Sequence, residues 1–421
     1  MEETLKNVDH LITKRRYEEA LEILEKIAPD SLDPQERAFM YMLEGIVYMN
    51  TASLNAIRSL YRSEELYRNL VEHGNSSVKL PLYRCVLSLA ILNYMYGRFE
   101  ESERLISDVL ENLQPYEPGA DDEERLLILR ARLESLIYRS KILDRKGLNR
   151  VADAVIIEIT ALSEQLEDYE YEEKKLDAFV VKRVIYSHHV HSGFKEIDLI
   201  NAVEEELHKS ACELLGMDFQ LYSLEVARFY MEASKAYYMV DCFSDATASA
   251  SNAMTILEEL CWSGHGYAEG ILARAYNLYF EACFKSDDGY ESAKLYLHKG
   301  QELAEKCFED NKELYTPLMA TTMKNIAEYL YFSPPEGDRS IEAVRYGVPA
   351  LKLYYKMYVS RGKLVYWNCV SSTFILLSCI YSNIDKEIAD QALSTARIMM
   401  KKYLKLSGVT SEEESGTDVN P

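Results

Sequence analysis

Small and large apolar residues recur along this chain at helical spacing, in paired blocks. Between residues 230 and 253, Tyr230, Ala233, Ser234 and Tyr237 share one helix face, and Phe243, Ala246, Ala250 and Ala253 share the next after a short break. A second pair of blocks has Val86, Leu89, Ala90 and Asn93, the turn Gly97-Arg98-Phe99, then Ser102, Ile106 and Val109. A third opens the chain with Leu11, Tyr17, Ala20, Leu24 and Ile27. Size matching explains the order: small residues let two helices approach, and large ones fill the space between successive pairs. Anchored on the small residue of each second helix, the series runs Ala20, Leu60, Ser102, Ala154, Ala202, Ala246, Ala293, Ala343 and Ala392. It predicts about nine helical hairpins. Breakers fall where this scheme needs turns, at 29–34, 73–77, 115–122, 287–289 and 334–338.

The order of sizes resembles the tetratricopeptide repeat, W-x2-L-G-x2-Y followed by A-x3-F. Tyr17-Glu18-Glu19-Ala20 is similar to the family's commonest opening of a second helix. Ala250 stands where that pattern prefers an aromatic residue, and Asn93 where it prefers a large apolar one. Successive anchors lie roughly 40 to 52 residues apart, against about 34 in the standard repeat, so each helix gains about one to two turns. The chain thus resembles a long-helix variant, similar to the superhelical sensor domains of bacterial and archaeal regulators. The resemblance implies an all-α fold, an α-solenoid or right-handed superhelix of antiparallel hairpins over residues 1–406. Residues 407–421 are acidic and rich in small residues and read as a disordered tail. It further implies that first helices line the concave surface, placing Arg84, Tyr94, Arg228, Lys235 and Tyr238 there. The family's carboxylate clamp for chaperone tails is not matched, because Leu5, Asp9, Leu87 and Ile91 stand at its positions.

Charge narrows the choice of partner. With 47 basic against 69 acidic side chains, the formal charge is −22, which repels phosphate backbones and anionic membrane surfaces and argues against nucleic acid. Against this mean, Arg125, Arg132, Arg139 and Lys146 recur every seven residues as one basic stripe. Arg132 and Arg139 are candidates to meet an acidic peptide or a phosphate group. The competing reading pairs the stripe with carboxylates such as Glu124 and Glu134. Eight cysteines are scattered without a C-x-x-C pair, as in a cytoplasmic protein with buried reduced thiols. Residues 364–384 carry no charge, but Asn368, Asn383 and several serines make a buried helix the expectation rather than a membrane insertion.

Candidate chemistry is sparse. No P-loop, H-E-x-x-H or G-x-S-x-G motif is present; no catalytic residue, cofactor or metal ligand is expected. Gly264, Gly266 and Gly270 form a G-x-G run after a helical segment, where a dinucleotide fold needs a strand. His188, His189 and His191 suit a hairpin end with exposed or helix-C-terminal imidazoles better than a metal site, since no further ligands can be named. Tyr346, Tyr354, Tyr355, Tyr358, Tyr366 and Trp367 concentrate aromatic mass near the end, for packing or for binding. The leading expectation is a scaffold or adaptor that takes a peptide or helix in its concave groove. The alternative is a ligand-gated regulator whose superhelix changes shape on binding, with a helical-toroid enzyme more remote. A homodimer through the terminal helices completes the expectations.

Overall fold

The computed structural model describes residues 2–113, 121–192, 196–286, 290–332 and 337–406. Among them there are helices, turns and no strand. The tail at 407–421 lies outside the described residues, as do most of the expected turn at 115–122, all of that at 287–289, and 334–336 of the last. The chain begins with α1 (Glu2–Thr13), α2 (Tyr17–Leu24), α3 (Pro34–Asn50), α4 (Ala56–Glu72), α5 (Lys79–Met95) and α6 (Phe99–Asn112). It continues with α7 (Asp122–Arg145), α8 (Asn149–Leu166), α9 (Lys174–His191), α10 (Ile197–Met217), α11 (Phe219–Met239) and α12 (Phe243–Trp262). The last six are α13 (Glu269–Lys285), α14 (Tyr290–Asp310), α15 (Lys312–Phe332), α16 (Ser340–Ser360), α17 (Lys363–Tyr381) and α18 (Lys386–Leu406). Neighbours in sequence pack as antiparallel pairs, α3 on α4, α11 on α12 and α17 on α18 among them. This is an all-α solenoid.

Local chemistry sets the turns. Asp33 accepts hydrogen bonds from the Gln35 and Glu36 amides at 2.9 and 2.8 Å, with Pro34 as the first helical residue of α3. Gly97 adopts a φ of +72° in the tight turn between α5 and α6, a conformation that favours glycine. Gly264 does the same after α12, and Gly270 lies inside α13, so the G-x-G run is a turn and a helix start.

Small residues sit at the helix crossings. Ala20, Ala246, Ala293 and Ala343 are fully buried. Ser102 donates from its hydroxyl to the Ala90 carbonyl of the facing helix at 2.7 Å, and Ser63 to that of Ala38 at 2.8 Å. Two anchors are corrected: Ala154 and Ala202 are exposed, and Ala152 in α8 and Ile200 with Ala211 in α10 face the core instead. Alanine is the best helix former in any position, so its presence alone does not fix the helix phase.

By their contacts, residues 1–144 with 149–318 form one compact unit, and 145–148 with the chain from 319 on form another. The first unit closes on itself. Tyr17 packs edge-on against Tyr267 at 5.2 Å between ring centres, and Lys14 pairs with Glu172. The Asn311 side-chain amide donates to the Ala52 carbonyl at 2.9 Å and meets the Tyr96 hydroxyl at 3.0 Å. Arg98 pairs with Glu313 at 2.8 Å. Hairpins far apart in sequence are thereby tied edge to edge.

In the second unit, α17 lies between α16 and α18 with Tyr366, Val370, Leu377 and Ile380 buried. It is the one helix among the described residues long and apolar enough to cross a membrane by length and composition. Its burial is one-sided rather than complete, because Asn368 and Ile375 are exposed. The late aromatic cluster divides similarly. Tyr354 and Tyr366 are core, the Tyr354 hydroxyl lying 2.7 Å from that of Thr321, whereas Tyr355 is exposed and stacks on Tyr358.

Candidate functional site

The inner face of the first unit gathers charges from helices remote in sequence. The first helices of successive pairs supply it: α5, α7, α9 and α11, joined by the turn between α1 and α2. On α7, Glu134, Tyr138 and Lys141 recur at i, i+4 and i+7 and so share one face. Tyr138 meets the Tyr94 ring of α5 edge-on at 5.3 Å, and the Lys141 ammonium stands 4.5 Å from the Tyr138 ring centre, a cation–π distance.

Opposite lies an ion-pair network. Arg183 of α9, 2% exposed, donates to Glu225 and Glu232 of α11, both at 2.8 Å. Arg228 pairs with the other oxygen of Glu225. Burial disfavours the Glu225 carboxylate, but Arg228 and Arg183 outweigh it and hold its pKa well below the ordinary range. Arg84 of α5 stands 3.9 Å from Asp9 of α1. Arg130 of α7 bridges Glu173 at 3.1 Å and Asp177 at 2.9 Å.

Two groups on this face differ from the rest. Glu134 and Lys141 have no hydrogen bond or ion pair among the described residues, and solvent reaches both side chains. Surrounding protein nonetheless raises the Glu134 pKa, through burial and then the nearby Asp177. Burial, followed by Arg183, pushes Lys141 down to about 8. Both groups are thus reached by solvent on the inner face and flanked there by charges from other helices.

The expected site residues separate accordingly. Arg84, Tyr94 and Arg228 come together on this inner face. Lys235, exposed, shares the Arg228 face of α11 two turns on, and Tyr238 packs its ring on Phe243 at 5.4 Å. Arg132 and Arg139 lie elsewhere on α7. Arg132 donates to the carbonyls of Leu110 and Leu113 at 2.7 and 2.6 Å, at the C-terminus of α6, so it satisfies orphan carbonyls there. The stripe's expected carboxylate partners are corrected too: Arg125 meets Asp122 on its own helix at 3.7 Å, and Glu134 stands with Asp177, Arg130 and Arg84 on the inner face. Sequence reasoning missed Tyr138, Lys141, Arg183 and Glu225. Leu5, Leu87 and Ile91 are buried, leaving none of them to serve a carboxylate clamp.

Two other expectations change. The three imidazoles stand in the last turn of α9, at a helix C-terminus as expected, but His188 is not exposed: it is 1% exposed and held between Asp144 at 2.7 Å and Asp153 at 2.9 Å. Burial lowers its pKa, but the two carboxylates prevail and the net shift is upward. Among the described residues, which include all eight cysteines, no disulfide forms, yet Cys212 is exposed rather than buried. An open cleft of about 670 Å³ between α4 and α6 is lined by Glu64, Arg68, Arg104, Ser107, Asp108 and Glu111. Arg68 pairs there with Glu64 and Asp108, so its charges largely satisfy one another.

Serial antiparallel hairpins with small residues at their crossings define a tetratricopeptide-like repeat array. In fold the chain is similar to a Rap protein whose crystal structure is of its complex with competence and sporulation factor. That likeness has a TM-score of 0.54 at 13% identity and covers 96% of this chain and 98% of that one. The chain also matches a circular tandem repeat protein of novel repeat topology with a TM-score of 0.27 at 13% identity, over 96% and 94% of the two chains. No protein-family description and no curated protein matches it in sequence.

Proposed function

We propose that this protein is a binding scaffold or adaptor whose closed first unit holds an extended peptide segment on its inner face. The observation that carries this reading is the solvent-reached inner face of α7, where Glu134 and Lys141 make no hydrogen bond or ion pair among the described residues on either side of the Tyr138 ring. Charged groups without a direct hydrogen-bond partner gain from a ligand that supplies one. An extended chain suits the space better than a helix. Tyr138 touches Tyr94 across the interior and feels the Arg228 charge from α11, whereas a helix with side chains needs about 10–12 Å. The Rap protein of similar fold, crystallised with a bound factor, supports the same kind of use. None of this requires catalytic chemistry.

Affinity capture from a randomised pool of free synthetic peptides of mixed length, read by mass spectrometry, tests it. Wild-type protein should enrich a peptide family that Arg228→Glu fails to retain. Enrichment of nothing by the wild-type protein, or of the same family by both, would overturn the assignment. A regulatory version is favoured by the edge-to-edge ties Tyr17–Tyr267 and Asn311–Ala52, because a ligand inside would bias such a closure. Small-angle scattering with the enriched peptide should then show compaction. An unchanged profile leaves a static scaffold.

A further inference from the structure

Seven residues of one helix separate Glu134 from Lys141, an axial rise of about 10.5 Å at 1.5 Å per residue. Between them Tyr138 presents its ring. The charges around Glu134 are Asp177 with Lys141, Arg130 and Arg84, but Arg130 is held by Glu173 and Asp177, and Arg84 stands 3.9 Å from Asp9. Around Lys141 they are Arg183 and Arg228 with Glu225 and Glu232, already joined to one another as ion pairs. Glu134 thus offers a carboxylate at one end of the row and Lys141 an ammonium at the other, neither engaged in a hydrogen bond or ion pair among the described residues. A peptide with both ends blocked would leave Glu134 and Lys141 as they stand, whereas a free peptide carries an ammonium at one end and a carboxylate at the other. An extended chain advances about 3.3–3.6 Å per residue, so about three residues span the distance.

Resting on the peptide-binding reading above, we infer that this face selects a short unblocked peptide of about three residues, its α-ammonium directed to Glu134 and its α-carboxylate to Lys141. Tyr138 contacts the intervening side chain and supplies apolar area with little loss of conformational freedom. The ligand is read chiefly by its two ends, and a longer or capped chain loses at least one of them.

Equilibrium dialysis with mass-spectrometric readout tests this, using randomised tripeptides as free, N-acetylated and C-amidated pools beside randomised octapeptides. Free tripeptides should be retained about tenfold or more over either capped pool, in line with the loss of one charge-assisted contact. Lys141→Met should erase the preference over C-amides and keep that over N-acetyl peptides, and Glu134→Gln the reverse. Equal retention of free and capped tripeptides, or retention of octapeptides whatever their ends, would overturn the end-reading while leaving peptide binding in place. Retention of no pool would overturn both. The capped pools act on the wild-type protein, so the result does not depend on either variant folding.

Discussion

Gly45 on α3 and Leu60 on α4 are size partners: a methyl group built on Gly45 would stand 2.6 Å from Leu60 Cγ and 2.7 Å from its Cδ2. Leu60 occupies the anchor position where the other hairpins mostly use alanine or serine, and the facing helix compensates with glycine. Overpacking costs about 1–3 kcal/mol, and the alanine's better helix propensity returns about 0.8–1 kcal/mol. Gly45→Ala should therefore lose on the order of 1 kcal/mol in chemical denaturation. Leu60→Ala should lose about 2–5 kcal/mol as a cavity. The double variant should be more stable than the sum of the single losses predicts, because truncating the leucine makes room for the methyl group added on α3. Strict additivity would show that the two helices relax independently.

The same pair marks what the sequence discloses. The recurrence of small residues is a local signal, and it leads directly to helical hairpins. Leu60 breaks the rule, and its compensation becomes visible only once α3 faces α4. The inner face is further from view. Arg228, Arg84 and Tyr94 follow from the rule that first helices line the concave side. Arg183 and Lys141 acquire meaning only because α9 and α7 meet α11 inside a closed unit, and no single repeat encodes that closure. On α7 the heptad row of Arg125, Arg132 and Arg139 is conspicuous in a protein of formal charge −22. The row on the inner face, Glu134, Tyr138 and Lys141, mixes charge and aromatic character and leaves no such mark.

Arg132 closes the end of α6. Its guanidinium meets two backbone carbonyls, and hydrogen bonds from charged groups contribute about 1.5–3 kcal/mol. Arg132→Ala should lower stability by an amount in this range and speed amide exchange over residues 109–113. Peptide retention in the dialysis assay should stay the same. A loss of retention with stability intact would return Arg132 to the binding surface.

Lys141 should be the unusual lysine in a reactivity map. With its pKa at about 8, about a quarter of the side chain is unprotonated at pH 7.5, against about a thousandth for a lysine at its ordinary value. A limiting dose of acetic anhydride should therefore label Lys141 among the first sites found by peptide mass mapping, and a retained tripeptide should protect it. Labelling that follows exposure alone would contradict the shift.

His188 gives the fold a pH dependence whose sign is fixed by its clamp. Asp144 and Asp153 raise the folded-state pKa against the opposing effect of burial. The contribution is thus fully present below the unfolded value, about 6.5, and fades as pH rises through the higher folded value. Replacing His188 with Gln should cost more stability at pH 6 than at pH 9 in guanidinium titrations. Equal costs at the two values would mean that the ring contributes packing only.

Asn311 ties the two edges of the first unit through one side chain. Its carbonyl oxygen accepts from the Leu314 amide at 3.1 Å, capping α15, while its amide nitrogen donates to the Ala52 carbonyl at 2.9 Å. Ala52 holds a φ of +58° in the turn after α3, a conformation disfavoured for residues with a side chain. The Asn311 bond therefore helps to hold a strained turn. Loss of the cap costs about 0.5–2 kcal/mol, and a partly buried carbonyl left unsatisfied costs up to about 3 kcal/mol. Asn311→Ala should thus destabilise the first unit by about 2–4 kcal/mol and accelerate hydrogen exchange at residues 51–55, remote in sequence from the substitution. Asn311→Asp separates the two effects, since it keeps the capping oxygen and removes the donor. It should spare the start of α15 and still loosen the turn at Ala52. If exchange at 51–55 is unchanged in both variants, the closure rests on Tyr17–Tyr267 and Arg98–Glu313 instead.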